Sequence, residues 1–184
     1  DASAVGDLAA ALLPVYRALE SATASWAGDP VLGPVLDPGL LRTSALEADT
    51  VALGAPARTS PAGAAYVARL AAVAGRPDLL LAHHYTRYLG DLSGGQAIGA
   101  LVRRQYALSS AQTSFYDFLS IADPMAYKRR YREHLDRLPA LGVEVAPGRA
   151  GLKETFVAAV EEVVARLRRC WRQRRIGGGD LAQA

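Results

Sequence analysis

Apolar residues recur every three or four positions along most of this sequence, which is the spacing of one face of an α-helix. The first such stripe comprises Leu8, Leu12, Val15 and Leu19. Alternating runs of β-branched residues, which indicate strands, are missing. Proline- and glycine-rich stretches separate six predicted helices, over residues 5–26, 40–53, 62–74, 78–108, 125–138 and 152–174. The pattern therefore predicts an all-α protein.

Length and composition predict one helical domain over residues 1–176, followed by a flexible tail over 177–184, because 184 residues that are 51% hydrophobic can bury a sizeable core. A formal net charge of +3 does not indicate nucleic-acid binding. No apolar run approaches the ~18 residues of a membrane span. The single cysteine, Cys170, excludes an internal disulfide and fits a reducing compartment. We therefore expect a cytoplasmic protein.

The sequence YTRYLGDLSGGQ, residues 85–96, is unusual inside a predicted helix, and we call it the glycine segment. Each interior glycine costs about 1 kcal/mol relative to alanine. Gly90 and Gly94 share a helix face, beside Asp91, and that face would let a flat ligand approach the backbone. Packing of helices through small residues, with Asp91 paired to Arg87 one turn earlier, is the more common use of such spacing. The residues alone leave both interpretations open.

A basic stretch, YKRRYREHL, covers residues 127–135. Lys128 and Arg132 are four residues apart, so a helix projects both from one face, where they could bind carboxylates. Charge runs of this kind more often form a solvated face. The buried side of the same helix is predicted to comprise Tyr127, Tyr131, Leu135 and Leu138.

The glycine segment resembles the signature of the heme oxygenases almost residue for residue. PVYRALE (14–20), ALEADTVALG (45–54) and IADPMAYKRRYREHLDRLP (121–139) resemble other parts of that family, so the similarity covers about residues 8–139. The resemblance implies an α-helical fold that holds heme between two helices. It also implies cleavage of heme by O2 and electrons from an external donor, a reductase or a ferredoxin, to biliverdin, carbon monoxide and iron.

The resemblance assigns roles to individual residues. Gly90 and Gly94 would let the backbone lie against the porphyrin. Asp91 would hold water beside the O2-binding position and help to deliver protons. Arg87 and Tyr16 would extend the same hydrogen-bonded network.

The resemblance also assigns residues to the heme propionates: Lys128 and Arg132 would bind them and Tyr85 would assist. Arg129 and Arg130 are expected to be solvated.

No iron ligand is assigned within the chain. His83, His84 and His134 are expected to be structural, since the family's proximal histidine lies on a helix upstream of Asp1. Three explanations are open: a longer natural chain, a shortened inactive relative, or a substitute ligand.

Two other classes of function are compatible with the residues. A non-catalytic protein that binds heme or a linear tetrapyrrole would keep the cations and Tyr85 but would not depend on Asp91. A helical interaction module would use the six arginines of ARLRRCWRQRR, residues 165–175, although such a run is usually a solvated face. A diiron relative is disfavoured because the sequence contains no Glu-x-x-His pair.

Overall fold

The computed structural model describes residues 2–141, which lie within one compact unit, Asp1–Val143. This part of the chain contains no strand, and its α-helices are α1 (Ala2–Ala24), α2 (Thr43–Ala52), α3 (Pro61–Ala72), α4 (Pro77–His84), α5 (Gln96–Tyr106) and α6 (Pro124–Arg137). The all-α prediction is confirmed. The predicted last helix (152–174) and tail (177–184) lie outside the described residues, so the extent of the domain to residue 176 stays a prediction.

Helix starts follow local signals in the sequence. The Ser60 hydroxyl accepts a hydrogen bond from the Gly63 amide (2.9 Å) and caps α3. The Asp123 carboxylate caps α6 by accepting from the Ala126 amide (2.8 Å). Proline in the first turn of α3, α4 and α6 stabilises these starts because its missing N–H needs no partner there.

Helix α1 packs against α2, α3 and α4. Val15 and Leu19 of the predicted stripe are buried and Leu12 partly so, but Leu8 is 49% exposed and does not belong to the core. Among the described residues, α1 has the length and hydropathy that a membrane span needs. A core helix can meet the same criteria, and the side of α1 that carries Tyr16 and Leu19 is buried against its neighbours.

A buried arginine and a buried aspartate hold the connection between α5 and α6. The Arg42 guanidinium donates to the carbonyl oxygens of Asp117 (2.6 Å) and Gly39 (2.9 Å), and burial lowers its pKa. The Asp49 carboxylate accepts from the backbone amides of Ser114 (2.7 Å) and Phe115 (2.9 Å). Neither role was predicted from local sequence pattern. Both matter for the site, because the ring of Phe115 lies edge-on against Tyr16, with centroids 5.3 Å apart.

The predicted continuous α-helix over 78–108 is the main departure from expectation. Residues 77–106 are helical throughout, but Tyr85–Leu89 and Asp91–Gly95 are wound as two π-helical turns between α4 and α5. A π turn is wider than an α turn and recurs at functional sites. Gly94 and Gly95 lie within the second of these turns, and Gly90 lies between the two.

Candidate active site

The glycines of the glycine segment and of α5 divide into two groups. A Cβ atom added at Gly90 or Gly94 would meet no described residue within 4 Å. A Cβ at Gly99 would lie 2.6 Å from the Cβ of Tyr116, which no rotation of the tyrosine could relieve. Gly99 is therefore held in close packing with Tyr116, whereas no described side chain occupies the space beside the backbone of Gly90 and Gly94.

Asp91 lies beside this open face and is bound from the core by a tyrosine. The hydroxyl of Tyr16, a residue only 1% exposed on α1, donates a hydrogen bond to Asp91 Oδ2. Burial raises the pKa of Asp91 to about 6, while the bond from Tyr16 and the positive charge of Arg87 oppose that rise. Burial and the nearby carboxylate raise the pKa of Tyr16 well above its usual value, so Tyr16 remains a donor at neutral pH.

The alternative pairing of Asp91 with Arg87 is not found. No ion pair joins the two side chains in the described structure. The Arg87 guanidinium instead lies over the rings of Tyr66 (4.8 Å to the centroid) and Tyr16 (5.7 Å). Burial would lower the pKa of Arg87, but Tyr16, Tyr66 and Asp91 together raise it. Arg87 therefore remains a fixed positive charge beside the carboxylate.

Tyr66 of α3 is a site residue that sequence reasoning missed. It contacts Arg87 through its ring, and its hydroxyl shares a hydrogen bond with His83 Nδ1 (2.8 Å). Its position among the small residues of α3 carries no signal of this contact.

The residues assigned to the propionates are brought together only in part. Lys128 Nζ lies 3.4 Å from the hydroxyl oxygen of Ser93, which directly precedes Gly94. The ring of Tyr85 lies edge-on to Tyr131, with centroids 5.7 Å apart. Arg132 is exposed on the same helix as Lys128, as are Arg129 and Arg130. The predicted buried side of α6 is confirmed for three residues, and the fourth is partly buried: Tyr127, Tyr131 and Leu138, then Leu135.

The three histidines are held by protein partners, as expected for structural residues. His83 bonds Tyr66, His84 Nδ1 lies 3.0 Å from the Tyr131 hydroxyl, and His134 Nε2 donates to the carbonyl oxygen of Val31 (2.7 Å). Within residues 2–141, no three histidine, cysteine, aspartate or glutamate side chains are grouped as metal ligands would be.

These features fit a flat, dianionic macrocycle. The space beside the backbone of Gly90 and Gly94, which no described side chain occupies, could admit the edge of a flat ring. The partly buried carboxylate of Asp91 lies at the edge of that face, and Lys128 reaches the same segment from α6.

The fold and the site thus define an all-α protein whose long helix offers an open glycine face next to a tyrosine-bound carboxylate. Residues 2–165 match the family model described as heme oxygenase. The chain belongs to the heme oxygenase family.

Individual relatives agree with this assignment. The chain is 40% identical to heme oxygenase 1 of Synechocystis sp. over 131 residues, which are 68% of this chain and 55% of the relative. It is 39% identical to heme oxygenase 1 of Rattus norvegicus over 138 residues, which are 70% of this chain and 48% of the relative. It is similar in structure to heme oxygenase-1 from Synechocystis sp. in complex with heme, with a TM-score of 0.70 and 33% identity over 85% of this chain and 70% of that one. Heme oxygenase from Leptospira interrogans gives a TM-score of 0.70 with 29% identity, over 85% and 77% of the two chains.

The chain spans 55% of the Synechocystis relative and 48% of the rat relative that it matches by sequence.

Proposed function

We propose that this protein is a heme oxygenase, which uses O2 and external electrons to cleave heme to biliverdin, carbon monoxide and ferrous iron. One observation carries the proposal: the Asp91 carboxylate, bound by Tyr16, stands at the edge of the open backbone of Gly90 and Gly94. Within residues 2–141, no packing contact accounts for the bare backbone at Gly90 and Gly94.

Bound heme supplies the redox chemistry and the binding of O2, and the protein supplies position and protons. Gly90 and Gly94 admit the macrocycle edge close to the backbone, and side chains at these positions would hold it away. Burial raises the pKa of Asp91 to about 6, so this carboxyl group can both accept and return a proton near neutral pH. Tyr16 orients this carboxylate, and Arg87 stabilises its charged form.

Lys128 and Arg132, helped by Tyr85, bind the two propionates under this proposal, since cations four residues apart on α6 suit two carboxylates. The proposal assigns no iron ligand among the described histidines, which are all engaged in hydrogen bonds. The electron donor is a reductase or a ferredoxin. The single cysteine supports a reducing, cytoplasmic location.

The test is hemin titration of the full-length gene product, followed by ascorbate in air, with the Soret band and the biliverdin spectrum as readouts. Wild-type protein is expected to bind hemin and form biliverdin. Asp91→Asn, which keeps the shape and loses the acid, is expected to bind hemin with similar affinity and to lower the yield of biliverdin at least tenfold. Glu47→Gln, which removes a carboxylate from an exposed pair with Arg17, is the matched control and is expected to behave as wild type.

Hemin uptake without biliverdin in the wild-type protein would contradict the proposal and favour the non-catalytic heme-binding alternative. Normal turnover by Asp91→Asn would contradict the assigned role of the carboxylate.

A further inference from the structure

The buried histidine His84 has no part in the chemistry proposed above. It is 2% exposed, directly precedes Tyr85, and lies at the end of α4 where the π turns begin. Burial lowers its pKa to about 3, so its imidazole is neutral. A neutral, fully enclosed imidazole neither binds an anion nor exchanges protons with solvent. The role of His84 must therefore follow from the residues that it contacts.

Those contacts run to one helix, α6. His84 Nδ1 lies 3.0 Å from the Tyr131 hydroxyl, and the two rings stack with centroids 5.8 Å apart and planes at 24°. Tyr131 is itself 2% exposed and also packs edge-on against Tyr85. A buried hydrogen bond and two ring contacts therefore join the start of the glycine segment to α6.

The position of Tyr131 on α6 gives this junction its significance. Tyr131 is three residues after Lys128 and directly before Arg132, so it anchors the turn of helix that carries both proposed propionate-binding cations. The other polar contact between these elements, Lys128 Nζ to the Ser93 hydroxyl, is exposed and long at 3.4 Å. Water competes with that contact, whereas the enclosed bond has no solvent competitor. The buried pair therefore sets the spacing and register of α6 against the glycine segment.

We propose that His84 and Tyr131 are positioning residues that fix the in-plane rotation of the bound macrocycle and so determine which biliverdin isomer forms. The inference rests on the proposed function. The propionates, held from α6, fix the rotation of the ring, and the open face of Gly90 and Gly94 fixes the edge that is attacked. Because the buried pair couples these two surfaces, loosening it lets more than one meso carbon reach the site of cleavage.

The test compares two tyrosines of α6 that each lose one buried hydroxyl. Tyr131→Phe removes the bond to His84. Tyr127→Phe removes a bond to the carbonyl oxygen of Val35 (2.7 Å), which lies in the short 3-10 helix Gly33–Val35 and not in the glycine segment. The ring contact between the two tyrosines, with centroids 6.2 Å apart, survives in both variants. Chromatography of the biliverdin isomers, and the heme-methyl NMR shifts of the ferric cyanide complex, report how the ring is seated.

Tyr131→Phe and His84→Leu are expected to give a second biliverdin isomer at roughly a tenth or more of the product, and a second set of heme-methyl signals. His84→Asn, whose amide can occupy the place of Nδ1, is expected to restore one isomer. Tyr127→Phe is expected to lower the unfolding midpoint as Tyr131→Phe does, but to keep the wild-type isomer and signals.

A single wild-type isomer and unchanged signals in Tyr131→Phe would overturn the inference, as would an equal change in Tyr127→Phe. Wild-type protein that binds hemin without forming biliverdin would refute the proposed function alone. The heme-methyl signals of the variants would still decide whether His84 and Tyr131 seat the ring. Wild-type protein that binds no hemin would overturn both.

Discussion

Replacing Gly94 by alanine should stabilise the free protein and weaken its binding of heme. The added methyl group meets no described residue within 4 Å, and the backbone is not left-handed at this position, so alanine is accommodated without strain. Alanine in place of an interior helical glycine gains about 0.5–1 kcal/mol. For a domain of this size, that gain corresponds to an unfolding midpoint about 1–4 °C higher.

Gly99→Ala is the matched control because it makes the same chemical change on the same helical run. Its methyl carbon would lie 2.6 Å from the Tyr116 Cβ, an atom fixed to its own backbone. Overpacking of this kind costs about 1–3 kcal/mol, which outweighs the propensity gain of up to about 1 kcal/mol. The two variants should therefore change stability in opposite directions.

Urea unfolding of the heme-free proteins measures the first effect, and hemin titration measures the second. Gly94→Ala is expected to lower hemin affinity about tenfold, or about 1.4 kcal/mol, because its methyl group occupies the face that the ring approaches. Gly94→Leu should abolish binding. Wild-type hemin affinity in a stabilised Gly94→Ala would refute the idea that these glycines exist to admit a flat ligand.

Three further predictions concern charged residues. Because the folded-state pKa of Asp91 is raised to about 6, the folded protein binds an extra proton between pH 4 and 6. The free energy of unfolding should therefore fall by on the order of 2 kcal/mol as pH rises through that range. Urea unfolding at pH 4.5 and 7 should show this loss in the wild type and not in Asp91→Asn. Arg42→Met should lower the free energy of unfolding by about 2–4 kcal/mol, since it leaves buried carbonyl oxygens without donors. The control Arg17→Met removes only an exposed ion pair and should lower it by under about 1 kcal/mol in the same unfolding assay. Equal losses would contradict the assigned role of Arg42. Lys128→Gln should weaken hemin binding about two- to tenfold in low salt and less in high salt, while Arg129→Gln should leave it unchanged, and equal effects of the two would remove the distinction between binding and solvated cations.

Much of the fold followed from local pattern. Apolar periodicity predicted both ends of α1, α2, α3 and α6, the start of α4 and the end of α5 within a few residues of the positions that the structure shows. The positions of these ends agree with local signals, because Ser60 and Asp123 cap α3 and α6, and a proline lies in the first turn of α3, α4 and α6. The signature of the glycine segment was sufficient to indicate the family, which residues 2–165 confirm. Those features depend on neighbours along the chain, and the sequence contains them directly.

Tertiary structure alone decided which neighbour each residue faces. Spacing alone left both packing and ligand binding open as uses for the glycines of this helix, whereas the structure shows close packing at Gly99, against Tyr116, and no described side chain near Gly94. Spacing also suggested Arg87 as the partner of Asp91, but Tyr16 of the distant helix α1 forms the hydrogen bond with this carboxylate. An α-helical pattern cannot encode such choices, because the winding of a turn and the identity of a contact depend on the packing energy of segments far apart in the sequence.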